Sequence, residues 1–159
     1  MQLTWREGTA FLYDRATFEP LGTLAYEGEG WGLCFDGEAL VMSDGSDRLT
    51  VRSPADLSVR RTVRVTLDGR PVDALNELEC VAGRVYANRW RSDRILRIDP
   101  RDGHVDAVVD ARALRAEAGP GAGALNGIAH EPGAPTLHLT GKNWPLLFEV
   151  ELLDAAGLE

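Results

Sequence analysis

The chain repeats one plan, and that repetition limits the folds open to it more than any other feature. A strand-like run ends in a polar tip (LTW, VMSD, YANRW, HLTGK), a short turn follows, and a second run closes on an acidic or Ser-Pro turn (FLYD, VRSP, RIDP, FEVE). The blocks recur every roughly 40 to 50 residues, the spacing of β-propeller blades. Alternation such as Arg94-Ile95-Leu96-Arg97-Ile98-Asp99 predicts half-buried antiparallel strands rather than helices. The expected fold is therefore all-β, a propeller of about three blades with a partial unit in front, forming a single domain over residues 1–159. A helical insertion is expected at about 111–118, where ARALRAEA combines helix formers and Gly119-Pro120-Gly121 stops them.

Propellers close with roughly four to eight blades, which hides their strand edges. Three and a part leave edges open, and soluble proteins avoid long unpaired edges. Two expectations follow: a missing amino-terminal portion, or self-association that covers the open blade edges. Strand residues directly after Met1 favour the first.

The formal net charge of −8 argues against a nucleic-acid partner, because phosphate binding needs a basic face. No apolar run approaches the roughly 20 residues of a membrane helix, so no membrane association is expected. The opening MQLTWREGTAFLYD has neither a basic leader nor an apolar core of a secretory signal. Cys34 and Cys80 lack metal-ligand spacing and sit in strand-like contexts (GLCF, ELECV). Buried free thiols are expected, with a disulfide left open. The histidines, His104, His130 and His138, have no ligand-type neighbours; neither a metal nor another cofactor is expected.

Candidate chemistry lies at the strand tips, because propellers bind ligands where inner strand ends surround the channel. Trp5, Trp31, Trp90 and Trp144 fall one per block. They could pack between blades, or ring the channel mouth as an apolar pocket; Trp144, beside Pro145, looks the most structural. The stretch LNELECVAGRVYANRW places Asn76, Glu77 and Glu79 in apolar surroundings, where polar groups are costly unless paired or used. Glu77 and Glu79 share a face by alternation, and pairing with Arg89 or Arg91 is their expected fate. Lys142 follows Gly141, but the run lacks the upstream glycine and the Ser/Thr of a phosphate loop. No Ser/His/Asp order or nucleophile elbow is present.

Taken together, GEGWGLCFDG, LVMSDGSDRL, LNELECVAGRVYANRW, RILRIDPRDG, LNGIAHEP and TGKNWPLLFEV resemble, in order and spacing, the glutamine cyclotransferase family of plants and bacteria. The resemblance spans essentially the whole chain and implies a five-bladed propeller. It implies a metal-independent enzyme that cyclises the N-terminal glutamine of a peptide or protein to pyroglutamate and releases ammonia. By motif, Trp5 (LTW), Trp31 (GEGWGL) and Trp90 (YANRW) resemble the family's pocket tryptophans. Asn76 (LNELE) resembles its substrate-contacting polar residue and Lys142 (TGKNW) its pocket lysine, so these two carry the catalytic assignment. The family's acid/base glutamate lies in an EGL motif with no counterpart before Gln2, and Glu7 belongs to the next turn. Glu77 and Glu79 are accordingly expected to be structural carboxylates. The alternative is a catalytically inactive propeller that binds peptides or serves assembly.

Overall fold

The computed structural model describes residues 1–153. Its strands form consecutive antiparallel meanders, as the block pattern predicts. The first sheet orders β1 (Gln2–Leu3), β2 (Thr9–Tyr13) and β3 (Pro20–Ala25). The second orders β4 (Gly32–Phe35), β5 (Leu40–Ser43), β6 (Arg48–Arg52) and β7 (Val59–Arg64). A small hairpin, β8 (Thr66–Leu67) and β9 (Arg70–Pro71), leads to the third sheet. That sheet orders β10 (Leu75–Val81), β11 (Arg84–Arg89), β12 (Arg94–Ile98) and β13 (Val105–Asp110). Helix α1 (Arg112–Ala118) intervenes where the insertion was expected. The fourth sheet then orders β14 (Leu125–His130), β15 (Thr136–Gly141) and β16 (Phe148–Glu151).

Each sheet is a propeller blade, and the core consists of the layers between blades. Ala10 and Tyr26 meet Leu40 and Met42 between the first and second sheets. Val41, Leu49 and Val51 meet Val85, Leu96 and Ile98 between the second and third. Tyr86 and Ile95 meet Leu125, Leu137 and Leu139 between the third and fourth. The expectation of half-buried strands needs correction for the inner blades. Adjacent residues point to opposite faces of a sheet, and here both faces are covered. Ile95 and Leu96 are both buried, one in each neighbouring layer, and all of β5 is buried. A sheet stacked on both sides carries continuous apolar runs rather than clean alternation.

The cysteines also depart from expectation. Cys34 and Cys80 form a disulfide with their Cα atoms 5.4 Å apart, and no free cysteine remains. The cause is tertiary. Innermost strands β4 and β10 belong to neighbouring blades and run against each other at Gly32, where a Cβ would collide with the Asn76 carbonyl oxygen. Ser43 Oγ donates to that same oxygen at 2.7 Å. Blade stacking thus brings together two residues 46 positions apart, and the bridge staples the second blade to the third.

Candidate functional site

The polar tips of the blades converge because equivalent backbone hydrogen bonds fix them. Within a blade, the tip of the second strand is tied to the approach of the innermost one. Trp31 N donates to Ser43 O at 3.1 Å, Trp90 N to Ala74 O at 2.7 Å, and Lys142 N to Ala124 O at 2.8 Å. Between blades, Gly30 N donates to Trp5 O and Ala74 N to Gly45 O, each at 2.9 Å. These bonds satisfy loop backbone groups that would otherwise need water, and they set the tips around one cavity of about 560 Å³.

All five site residues expected from sequence line that cavity: Trp5, Trp31, Asn76, Trp90 and Lys142. Gly30, Arg91 and Asn126 complete its wall. Trp144 does not take part. Its indole donates to Gly123 O at 3.0 Å, its ring meets Phe148 edge-on at 5.9 Å, and it packs against the layer between the third and fourth blades.

Asn76 owes its place to an irregularity in β10. Pairing with β11 slips between Leu75 and Leu78, a bulge that re-aims side chains at a strand end. The same slip occurs in β14 between Leu125 and Ile128 and brings Asn126 to the wall. Asn126 was missed as a site residue, yet a signal existed: LNEL and LNGI are the same motif at equivalent places in consecutive blades. Asn126 Oδ1 is buried and has no hydrogen-bond partner among the described residues. Unpaired buried acceptors are rare, and in a cavity wall such an atom can take a donor from a ligand. The neighbouring Asn88, fully buried, accepts from Gly127 N at 3.0 Å through Oδ1 and leaves its Nδ2 unpartnered.

The wall mixes aromatic faces with cationic and amide groups. Lys142 Nζ lies 4.7 Å from the Trp90 ring centroid, a cation–π arrangement that steadies the flexible ammonium. Trp31 packs against Gly45, where a Cβ would come within 2.6 Å of the indole. Trp5, in the loop between β1 and β2, is 55% exposed. Its indole donates to Glu29 Oε2 at 2.8 Å, and the Trp31 indole donates to the same oxygen at 2.8 Å. These donors, Trp31 first and Trp5 second, hold the Glu29 carboxyl below its ordinary range.

Glu77 and Glu79 correct the expectation that arginines neutralise them. Arg89 instead lies 3.4 Å from Asp73, and among the described residues neither glutamate has an ion-pair partner within 4.0 Å. Burial, with the Glu79 charge second, pushes Glu77 up to about 7. Burial also raises Glu79, countered by His130.

The glutamine cyclotransferase family matches residues 1–152 of this chain. The chain is 36% identical over 161 residues to a glutaminyl-peptide cyclotransferase of Arabidopsis thaliana, covering 98% of this chain and 50% of the relative. It thus spans about half the length of that plant protein. Among solved structures, the glutaminyl cyclase of Myxococcus xanthus superposes with a TM-score of 0.89 at 45% identity, over 96% of this chain and 68% of that one.

Proposed function

This chain belongs to the glutamine cyclotransferase family, and from that premise we propose that it cyclises the N-terminal glutamine of peptides or proteins to pyroglutamate. The observation that carries the reading is the meeting of Trp5, Trp31, Trp90, Asn76 and Lys142 on one cavity. Three indoles make a mouth that accepts the glutamine side chain and folds it back on its own amine. Holding amine and amide in attack geometry is a large contribution to a ring closure of this kind.

The reaction forms one bond and breaks one. The α-amine nitrogen attacks the γ-carbonyl carbon, and the carbonyl electron pair moves onto oxygen. The tetrahedral intermediate then expels the amide nitrogen, which leaves as ammonia after taking the proton that the attacking amine loses. Lys142 and the Asn76 carboxamide supply donors for the developing oxyanion, the stabilisation that hydrolytic and transfer sites obtain from fixed donors. Asn126 Oδ1, unpartnered in the wall, accepts an N–H of the γ-amide or the amine. Ammonium, guanidinium, amide and indole groups make this lining, a donor set that can bind the oxyanion without a metal.

The test is ammonia release from a Gln-Gly dipeptide by the purified chain. Lys142→Ala is expected to lower kcat by about 10²- to 10³-fold, in line with the loss of one oxyanion donor. Trp90→Ala is expected to raise KM and to lower kcat, because Trp90 both encloses the substrate and supports Lys142. Unchanged turnover in both variants refutes the site. Binding of the dipeptide with no ammonia release favours the second reading, a peptide-binding module; the cavity wall, which among the described residues includes no carboxylate, is the observation on its side.

A further inference from the structure

Trp5 and Trp31 come from different blades, yet their indole nitrogens meet on one oxygen. Glu29 Oε2 accepts from both at 2.8 Å. Its second oxygen, Oε1, accepts from Arg6 Nε at 3.3 Å, and the Arg6 guanidinium lies 3.9 Å over the Trp5 ring. One carboxylate thus ties two walls of the cavity together, and its arginine partner covers the face of one of them. We infer that Glu29 is a positioning residue whose carboxylate holds the Trp5 and Trp31 indoles as adjoining walls of the substrate pocket.

The two tryptophans do not depend on it equally. Trp31 is also wedged against Gly45 and has its backbone nitrogen bonded to Ser43 O. Trp5 is 55% exposed on a loop, and apart from its indole contact with Glu29 it is tied to the second blade by its backbone carbonyl, which accepts from Gly30 N. An exposed indole samples several staggered rotamers unless contacts select one, and for Trp5 those contacts are Glu29 and Arg6. A charged acceptor makes shorter and stronger hydrogen bonds than a neutral one, and a single oxygen shared by two donors also fixes the spacing between the rings. Glu29 itself is not part of the cavity wall, so it acts through the indoles and not on the reacting atoms.

The inference rests on the cyclising function proposed above, and its signature is a loss felt more in KM than in kcat. Glu29→Ala is expected to raise KM for Gln-Gly about tenfold and to lower kcat by no more than about threefold, because the loosened indoles hold amine and amide less well. Glu29→Gln keeps a carbonyl oxygen that accepts both indoles, and should restore KM to within about threefold. In a Trp5→Ala background, Glu29→Ala should change KM by less than about twofold, because residues acting through one contact are non-additive. Equal KM in the parent, Glu29→Ala and Glu29→Gln overturns the inference. So does a fall in kcat at constant KM, which would make Glu29 a proton-transfer group. If the parent releases no ammonia, the cyclising reaction falls but the clamp is still tested: tryptophan quenching by the same dipeptide must show the same order of affinities.

Discussion

The sharpest test of the physical account is Glu77→Gln, read as a function of pH. Glu77 sits half-buried beside the β10 bulge, has no cationic partner among the described residues, and has its carboxyl pushed from 4.5 up to about 7. Lost hydration is the larger cause and the Glu79 charge the smaller. Because the folded value lies above the unfolded one, the folded protein holds this proton more tightly than the unfolded chain. Ionisation therefore costs nothing well below pH 4.5, costs progressively more between pH 4.5 and 7, and reaches its full cost above 7. At about 1.4 kcal/mol per pH unit, that full cost is on the order of 3 kcal/mol. A glutamine has no proton to lose, so the variant should gain this amount relative to the parent between pH 4 and pH 8.5. All other carboxylates titrate in both proteins, and their contributions largely cancel in the difference. The assay is urea denaturation at both pH values with the disulfide intact; with a slope of about 2 kcal/mol per M, the midpoint difference should widen by roughly 1.5 M. A difference that stays constant with pH to within about 0.5 kcal/mol refutes the claim that this carboxyl is buried unpaired, whatever the absolute stability of the variant.

Other expectations follow from the blade contacts. Replacing both Cys34 and Cys80 by serine should cost about 4 kcal/mol in the chain-entropy account for a loop of this length, measured by denaturation of the parent with and without reductant alongside the double variant. Gly32→Ala puts a methyl group on the Asn76 carbonyl and should cost about 2–4 kcal/mol; because it displaces β10 from β4, KM for Gln-Gly should rise with it. Gly45→Ala meets the Trp31 ring and requires a positive φ of 83°. It should raise KM, and a thermal scan should show a loss of about 1–3 kcal/mol.

The repeat made the blades legible, because one period carried strand, tip and turn together. Trp5, Trp31, Asn76, Trp90 and Lys142 line one cavity, as their place at those tips and the family motifs imply. What local pattern could not show was which tips face each other across blades. The Cys34–Cys80 bridge, the Glu29 clamp and the unpaired state of Glu77 all depend on strands far apart in sequence. The β8–β9 hairpin was overlooked because its strands are two residues each and carry no period. Its turn was nonetheless written in the sequence: Asp68 and Gly69 have φ values of 51° and 75°, and Asp-Gly is a favoured pair for a two-residue turn with both φ angles positive.

The bulges explain why an amide was placed where a strand should have been regular. In an unbroken β10, Asn76 would point away from Leu75 into the layer between the third and fourth blades, and Glu77 and Glu79 would fall on the Leu75 face, toward the second blade. The extra residue between Leu75 and Leu78 resets the alternation. Leu75 and Leu78 both reach the layer toward the second blade, and Asn76 is freed for the cavity wall. The repeat of this device at Leu125–Ile128 provides a second amide, Asn126, from the next blade. Two bulges, each costing a little pairing in an innermost strand, thus convert packed strand starts into polar groups aimed at one ligand. The unsatisfied Oδ1 of Asn126 is what that conversion leaves until a donor arrives.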